Sequence, residues 1–175
     1  MPLPSPESYI HPNVEKRWIN QQLQYGLFAK APIRAGEVVL RDGGRILSKE
    51  EYLQLSSACR EFPYQIDSSS ILAPESCDSV PDEWLANHSC DPTVVYKEPY
   101  TWVALRDISA GEEITCDYAT TWTEDTEDEE MECFCNAKNC RKKWTSRDWM
   151  LPELQKRLKG FFTKGVQNKI DSQAP

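Results

Sequence analysis

Three cysteines close together in the second half of the chain are the residues best suited to hold a metal ion. Cys133, Cys135 and Cys140 form the pattern C-x-C-x4-C. Structural zinc takes four ligands in a closed tetrahedron, so this cluster needs a fourth ligand from elsewhere in the chain. The candidates are the remaining cysteines and the two histidines: Cys59, Cys77, Cys90, Cys116, His11 and His88. The alternatives to a metal site are a redox site or three ordinary thiols.

The compartment of the protein decides how the cysteines are interpreted. No apolar run approaches the roughly 20 residues that span a bilayer. The first residues, MPLPSP, lack the basic-then-apolar order of a signal peptide. We therefore expect an intracellular protein with no membrane attachment, in the nucleus or the cytoplasm, between which the sequence does not discriminate. In a reducing compartment the cysteines are expected to be thiols or metal ligands rather than disulfides.

The charge of the chain restricts its partners. The 175 residues carry a formal net charge of −8. Direct binding to nucleic acid is not expected, because neutralising phosphates needs a basic face. A basic protein or peptide is a better partner, although a charge of this size is also explained by solubility alone.

Short apolar segments between turn residues predict a β-rich body. Strands are expected at 26–29, 38–40, 102–105 and 113–116. The segments Ile33–Val38 and Ile108–Ile114 resemble each other, each with a glycine before β-prone residues. They predict two similar hairpin corners.

The remaining segments predict helices, loops and a charged connection. A helix is expected over 48–61, with Ser48 and Glu51 as a capping box. Residues 63–83 are expected to be irregular. Seven acidic side chains within 124–132 predict a solvated linker, or an acidic rim that attracts a basic peptide. A short helix is expected from Pro152 to Lys159, with Gly160 at its end and frayed residues after about 171.

Four motifs in order along the chain resemble those of the SET-domain family. They are YGLFA at 25–29 followed by Gly36-Glu37, NHSCDP at 87–92, GEEITCDY at 111–118, and the cysteine pattern from 133 to 140. The resemblance covers roughly 20–145. It implies a mainly β fold with short helices, built from small curved sheets with a knot-like crossing, and followed by a C-terminal zinc-binding post-SET segment.

The resemblance also implies an activity and the residues that carry it. Family members transfer methyl groups from S-adenosylmethionine to a lysine side chain of a protein, histone or non-histone. Tyr118 is expected to be the catalytic tyrosine. Cys90 is expected to complete the Zn²⁺ site. The residues expected at the cofactor are Gly26, Leu27, Phe28, Asn87, His88, Tyr118 and Trp144. The substrate channel is expected to contain Cys116 and Trp144, and the small Cys116 favours multiple methylation.

Each assignment has a plainer alternative. Tyr118 would otherwise be a core tyrosine, Trp144 would pack the last helix, and His88 would be structural. At the level of function, the alternatives are a non-catalytic zinc-containing interaction module and a cofactor-dependent enzyme that acts on a small molecule.

The predicted organisation has five parts along the chain. They are a leader (1–19), the SET domain (20–122), an acidic linker (123–132), the post-SET zinc segment (133–145) and a helical tail (146–175).

Overall fold

The chain folds into short strands with few helices, as a computed structural model shows. The structure describes residues 6–56, 60, 64–76, 80–97, 100–126 and 128–173. The strands are β1 (Tyr9–Ile10), β2 (Val14–Asn20), β3 (Gln24–Ala29), β4 (Val38–Arg41), β5 (Arg45–Ser48), β6 (Tyr64–Gln65), β7 (Ser70–Ala73), β8 (Asn87–His88), β9 (Val94–Lys97), β10 (Thr101–Ala104), β11 (Glu113–Cys116), β12 (Glu130–Glu132) and β13 (Lys143–Thr145). The α-helices are α1 (Lys49–Leu53), α2 (Pro152–Arg157) and α3 (Lys164–Gln173), and 3-10 helices cover Asp82–Leu85, Tyr118–Thr120 and Asp148–Met150.

The strands form four small sheets among the described residues. Their orders are β1-β4-β10-β9, β2-β3-β11-β8, β5-β7-β6 and β12-β13. The predicted mainly β architecture is confirmed. The four strands expected from the sequence are present as β3, β4, β10 and β11, with ends shifted by one or two residues.

The two repeated glycine corners face each other. Ile33 and Ile108 form an antiparallel bridge in which each backbone N–H donates to the other's carbonyl, at 3.0 and 2.8 Å. Gly36 and Gly111 take positive φ angles of 82° and 85°, which side chains rarely adopt. The two corners therefore stabilise each other through this backbone pairing, and both isoleucines are buried in the main core.

The parallel pairing of β8 with β11 positions residues of the candidate site. Asn87 and His88 in β8 lie beside Thr115 and Cys116 in β11. These two segments therefore pack side by side. It brings the end of β11, and with it Tyr118, against the segment that carries Cys90.

A second core lies under the C-terminal helices. Trp149, Leu154, Leu158 and Val166 are buried there together with Ala119 of the Tyr118–Thr120 helix. The predicted helix at Pro152 is confirmed as α2, but it ends at Arg157 rather than Lys159, and Gly160 beyond it has a positive φ of 86°. Helix α3 was not predicted, and it continues through residues 171–173, where fraying was expected.

Two further expectations need correction. Helix α1 has the predicted capping box of Ser48 and Glu51, but it ends at Leu53 rather than near 61. The segment expected to be irregular contains β6 and β7, which meet at a turn where Asp67 accepts backbone hydrogen bonds from Ser69 and Ser70. Residues 57–59, 61–63 and 77–79 of these segments lie outside the described residues.

The predicted leader and acidic linker contain ordered structure. Within 1–19, β1 and β2 belong to sheets, and residues 1–5 lie outside the described part of the chain. Within the linker at 123–132, Thr123 and Thr126 are buried, whereas the side chains of β12 are exposed as expected. The run is held because β12 pairs with β13. No helix among the described residues is long and apolar enough to cross a membrane.

Candidate active site and metal centre

Four cysteine sulfurs converge at one point between the main body and the C-terminal segment. The Sγ atoms of Cys90, Cys133, Cys135 and Cys140 all lie within 4.8 Å of one another. The sulfurs of Cys90 and Cys133 are 3.7 Å apart. A tetrahedron with Zn–S bonds of about 2.3 Å has sulfurs separated by about 3.8 Å, so the cluster has the dimensions of a closed zinc site.

The surroundings of the sulfurs suit thiolates bound to a cation. Backbone N–H groups of Arg141, Lys142 and Cys90 point at sulfurs, at 3.3 to 3.5 Å. Burial raises the pKa of the Cys90 and Cys133 thiols, so thiolates this crowded need a neutralising positive charge. Zn²⁺ fits this donor set.

Of the other candidate ligands, Cys116 lines a separate cavity and His11 lines another one, whereas Cys59 and Cys77 lie outside the described residues.

A partly buried arginine connects the cysteine cluster to the segment before Tyr118. The guanidinium of Arg141 donates to both carboxylate oxygens of Asp117 at 2.8 Å, and its Nε donates to Asp148 at 2.7 Å. The Asp117 side chain is fully buried and that of Arg141 is 17% exposed. Sequence reasoning missed this group. Its only sequence signal was one charged residue inside the motif at 111–118, Asp117, and one directly after the cysteine pattern, Arg141.

His88 has a structural position between the cluster and Tyr118. Its Nδ1 accepts the Tyr118 backbone N–H at 3.3 Å, which assigns the ring proton to Nε2. Nε2 lies 3.6 Å from Cys90 Sγ. Burial lowers the pKa of His88 to about 4, so the ring is neutral. It contacts the cysteine cluster through Nε2 and the Tyr118 backbone through Nδ1.

A large cleft of about 830 Å³ opens beside this junction. Four of the predicted cofactor residues line it: Asn87, His88, Tyr118 and Trp144. The cleft also contains residues that the sequence did not single out, among them Asn20, Gln22 and Leu23 in the β2–β3 turn, and Glu113, Met131 and Phe134.

The glycine motif lies behind one wall of the cleft. Asn87 Nδ2 donates to Glu113 Oε1 at 2.9 Å and to the Tyr25 carbonyl at 3.2 Å. A Cβ on Gly26 would come within 2.8 Å of either side chain, so the glycine makes this arrangement possible. Leu27 is buried in the main core, and Phe28 packs under the guanidinium of Arg17. Neither is among the cleft-lining residues.

Aromatic rings surround Tyr118 on the cleft side. Trp144 makes edge-to-face contacts with Tyr118 and Trp122, with centroids 5.7 and 4.8 Å apart. Trp144 is 1% exposed, and its indole Nε1 has no hydrogen-bond partner. An orphaned buried donor at the wall of a cleft fits a bound polar ligand.

A second, smaller cavity of about 90 Å³ lies on the other side of Tyr118. The Tyr118 hydroxyl donates to the Ala86 carbonyl at 3.3 Å, and burial raises the pKa of the phenol, which stays protonated. Cys116, for which the sequence predicts a place in the substrate channel, lines this cavity, and burial keeps its thiol neutral by raising its pKa. Trp144, expected at both the cofactor and the channel, lines the cleft only.

Comparison with known proteins identifies the family. A family model described as the SET domain matches residues 24–119. The chain belongs to the SET-domain family. The SET-domain match ends one residue after Tyr118, so it includes Cys90, whereas Cys133, Cys135, Cys140 and the C-terminal helices lie outside it.

Two similar curated proteins are histone-lysine methyltransferases by name. The H3 lysine-4 specific histone-lysine N-methyltransferase of Eremothecium gossypii is 31% identical over 132 residues, which cover 67% of this chain and 13% of that protein. The histone-lysine N-methyltransferase ATX2 of Arabidopsis thaliana is 29% identical over 131 residues, 67% of this chain and 12% of its own length. The SET-domain chain therefore spans a small part of each relative.

A solved structure has the same fold. The crystal structure of KRYPTONITE in complex with mCHG DNA and SAH superposes with a TM-score of 0.60 at 21% identity. The match covers 77% of this chain and 29% of the other. The predicted SET-type fold is thereby confirmed.

Proposed function

We propose that this SET-domain protein is an S-adenosylmethionine-dependent protein-lysine methyltransferase with Tyr118 as its catalytic residue. The observation that carries the proposal is the position of Tyr118, which lines both the large cleft and the small cavity. A methyl donor in one compartment and an acceptor in the other would meet at this ring.

The large cleft is the proposed cofactor site. Asn87 and His88 would hold the cofactor through backbone and side-chain groups, and the free Trp144 indole N–H would donate to it. Gly26, Leu27 and Phe28 remain proposed contacts, and Leu27 can contribute only its backbone because its side chain is in the core. When bound, S-adenosylmethionine supplies an activated methyl group.

The small cavity is the proposed acceptor site. A lysine amine attacks only when neutral, and with a pKa of about 10.4 roughly one in a thousand is neutral at pH 7.4. Tyr118 and the Ala86 carbonyl would orient the amine, and enclosure removes competing water. The narrow dimensions favour an extended lysine side chain over a compact small molecule. The small side chain of Cys116 leaves room for more than one methyl group.

The cysteine cluster is the proposed zinc site, with Cys90, Cys133, Cys135 and Cys140 as ligands. Zinc here would join β12, β13 and Arg141 to the body of the domain. Cys133 and Cys135 also line the cleft, so metal binding and the shape of the cofactor site are coupled.

The proposed substrate is a basic protein or peptide. The net charge of −8 and the exposed Glu130 and Glu132 favour a cationic partner. The named activity of the two relatives adds a histone tail as the first candidate, and with it a nuclear location. We propose no direct contact with nucleic acid.

The experiment compares Tyr118→Phe with wild type for methyl transfer to histone and basic-peptide mixtures, and for S-adenosylhomocysteine binding. We expect turnover to fall by about 100-fold or more, the scale of a lost catalytic group, with cofactor affinity within about threefold. Tyr9→Phe, outside both cavities, is the matched control and should keep full turnover. Retained turnover in Tyr118→Phe would refute the assignment.

A further inference from the structure

The small cavity contains two buried acidic side chains that the family motifs do not include. Asp42 is 3% exposed and Glu83 is 4% exposed, and both line the cavity together with Tyr118. They come from unrelated parts of the chain, Asp42 directly after β4 and Glu83 in the Asp82–Leu85 helix. The channel is therefore not purely apolar.

The two acids differ in what they bind within the protein. Asp42 accepts a hydrogen bond from the Trp102 indole at 2.5 Å. Glu83 Oε1 is buried without any hydrogen-bond partner. Over the described ranges, no lysine, arginine or histidine lies within ion-pair distance of either carboxylate. An unpaired buried acceptor of this kind is costly unless a ligand supplies the donor.

The rest of the lining suits a cation with an alkyl chain. Tyr64, Trp84, Trp102 and Trp122 present aromatic rings to the cavity in addition to Tyr118. Aromatic faces attract cations and pack against methylene groups. A carboxylate with an open acceptor inside an aromatic enclosure selects a donor that is positively charged and slender.

We propose that the Glu83 carboxylate is the counter-ion that recognises the substrate's primary ammonium group in this cavity, with Asp42 beside it. This assignment rests on the proposed function, since it takes the cavity as the acceptor side of the site.

The test uses n-butylammonium, which copies the end of a lysine side chain, and 1-butanol as its neutral counterpart. Both are titrated into the zinc-loaded protein at constant ionic strength, and the indole N–H signals of Trp84 and Trp102 are followed by NMR. We expect wild type to bind n-butylammonium at least tenfold more tightly than 1-butanol, as a charged hydrogen bond implies. Equal affinities would overturn the proposal, and this comparison needs no variant.

Two variants locate the effect. In Glu83→Gln, n-butylammonium binding should weaken about tenfold or more, while 1-butanol binding stays unchanged. Asp82→Asn is the matched control: it removes the same charge one residue away, from an exposed carboxylate that pairs with Lys16 at 2.6 Å. It should bind both probes as wild type does. Unchanged n-butylammonium affinity in Glu83→Gln would overturn the assignment of Glu83.

The outcome is separable from that of the methyltransferase proposal. S-adenosylhomocysteine binding is measured on the same samples and reports on the large cleft alone. A protein that selects n-butylammonium through Glu83 but binds no cofactor keeps this inference and loses the proposed function. A protein that methylates lysine equally well with Glu83→Gln, and binds n-butylammonium unchanged, keeps the function and loses the inference.

Discussion

Replacing Arg141 tests whether the link between the cysteine cluster and the tyrosine segment stabilises the site. The guanidinium makes three hydrogen bonds to two carboxylates, and the Asp117 side chain that receives two of them is fully buried. In Arg141→Ala, the neighbours left to the Asp117 carboxylate among the described residues are the Ala119 N–H at 3.2 Å, Arg157 at 3.6 Å and His88 Nδ1 at 3.7 Å. Breaking a buried pair from one side costs about 3–5 kcal/mol of unfolding free energy. Arg141→Lys keeps a charge without the two-pronged geometry, so we expect a loss of about 2 kcal/mol, near that of one charged hydrogen bond.

The assay for Arg141 is urea unfolding of the zinc-loaded protein, followed by tryptophan fluorescence. The matched control is Arg147→Ala, which removes an exposed ion pair with Asp128 and should change the free energy of unfolding by less than about 1 kcal/mol. Calorimetry with S-adenosylhomocysteine should show weaker binding in Arg141→Ala, because Asp117 directly precedes Tyr118. An Arg141→Ala protein as stable as the Arg147→Ala control would refute the reasoning.

Three further predictions concern the metal, the cavity and the cleft. Cys140→Ser should lose most bound zinc, measured by atomic emission, and with it S-adenosylhomocysteine binding; retention of one zinc per chain would contradict the four-thiolate site. In Asp42, burial raises the pKa from 3.8 to about 8, so the native state holds the proton more tightly and stability is lost as pH rises from about 4 to 8. Asp42→Asn should therefore become more stable relative to wild type between pH 5 and pH 8.5 in urea unfolding, and a constant difference would contradict this. Gly26→Ala should weaken S-adenosylhomocysteine binding about tenfold by displacing Asn87, whereas Gly36→Ala, where a Cβ meets nothing, should cost stability without changing affinity. Equal affinities in the two glycine variants would argue against the proposed cofactor wall.

The parts of the fold that were predictable are those that local chemistry determines. The Ser48 capping box, the repeated glycine corners and the proline-started helix α2 each depend on residues a few positions apart. The hairpin of β6 and β7 also has local turn chemistry, at Asp67, but its serine-rich and proline-rich surroundings suggested a loop. Helix α3 was missed because its sequence is mostly polar, and only a few residues such as Val166 attach it to the second core.

The residues of the candidate site also divide into those that local sequence motifs locate and those that depend on tertiary packing. Tyr118 and the cysteine pattern could be located because motifs retain residue type and spacing. The pairing of Arg141 with Asp117 could not be predicted, because it depends on how the C-terminal segment folds back over the domain. The same holds for Asp42 and Glu83, which are 41 positions apart in sequence and meet only through the packing of two sheets and a 3-10 helix.

The most direct test of the central claim is calorimetric titration of S-adenosylmethionine into the purified protein, with zinc content measured on the same sample. The account predicts saturable binding at one cofactor per chain, together with about one zinc per chain, as a closed four-cysteine site requires. A zinc-loaded protein that binds no S-adenosylmethionine would contradict the claim that the large cleft beside Tyr118 is a methyl-donor site.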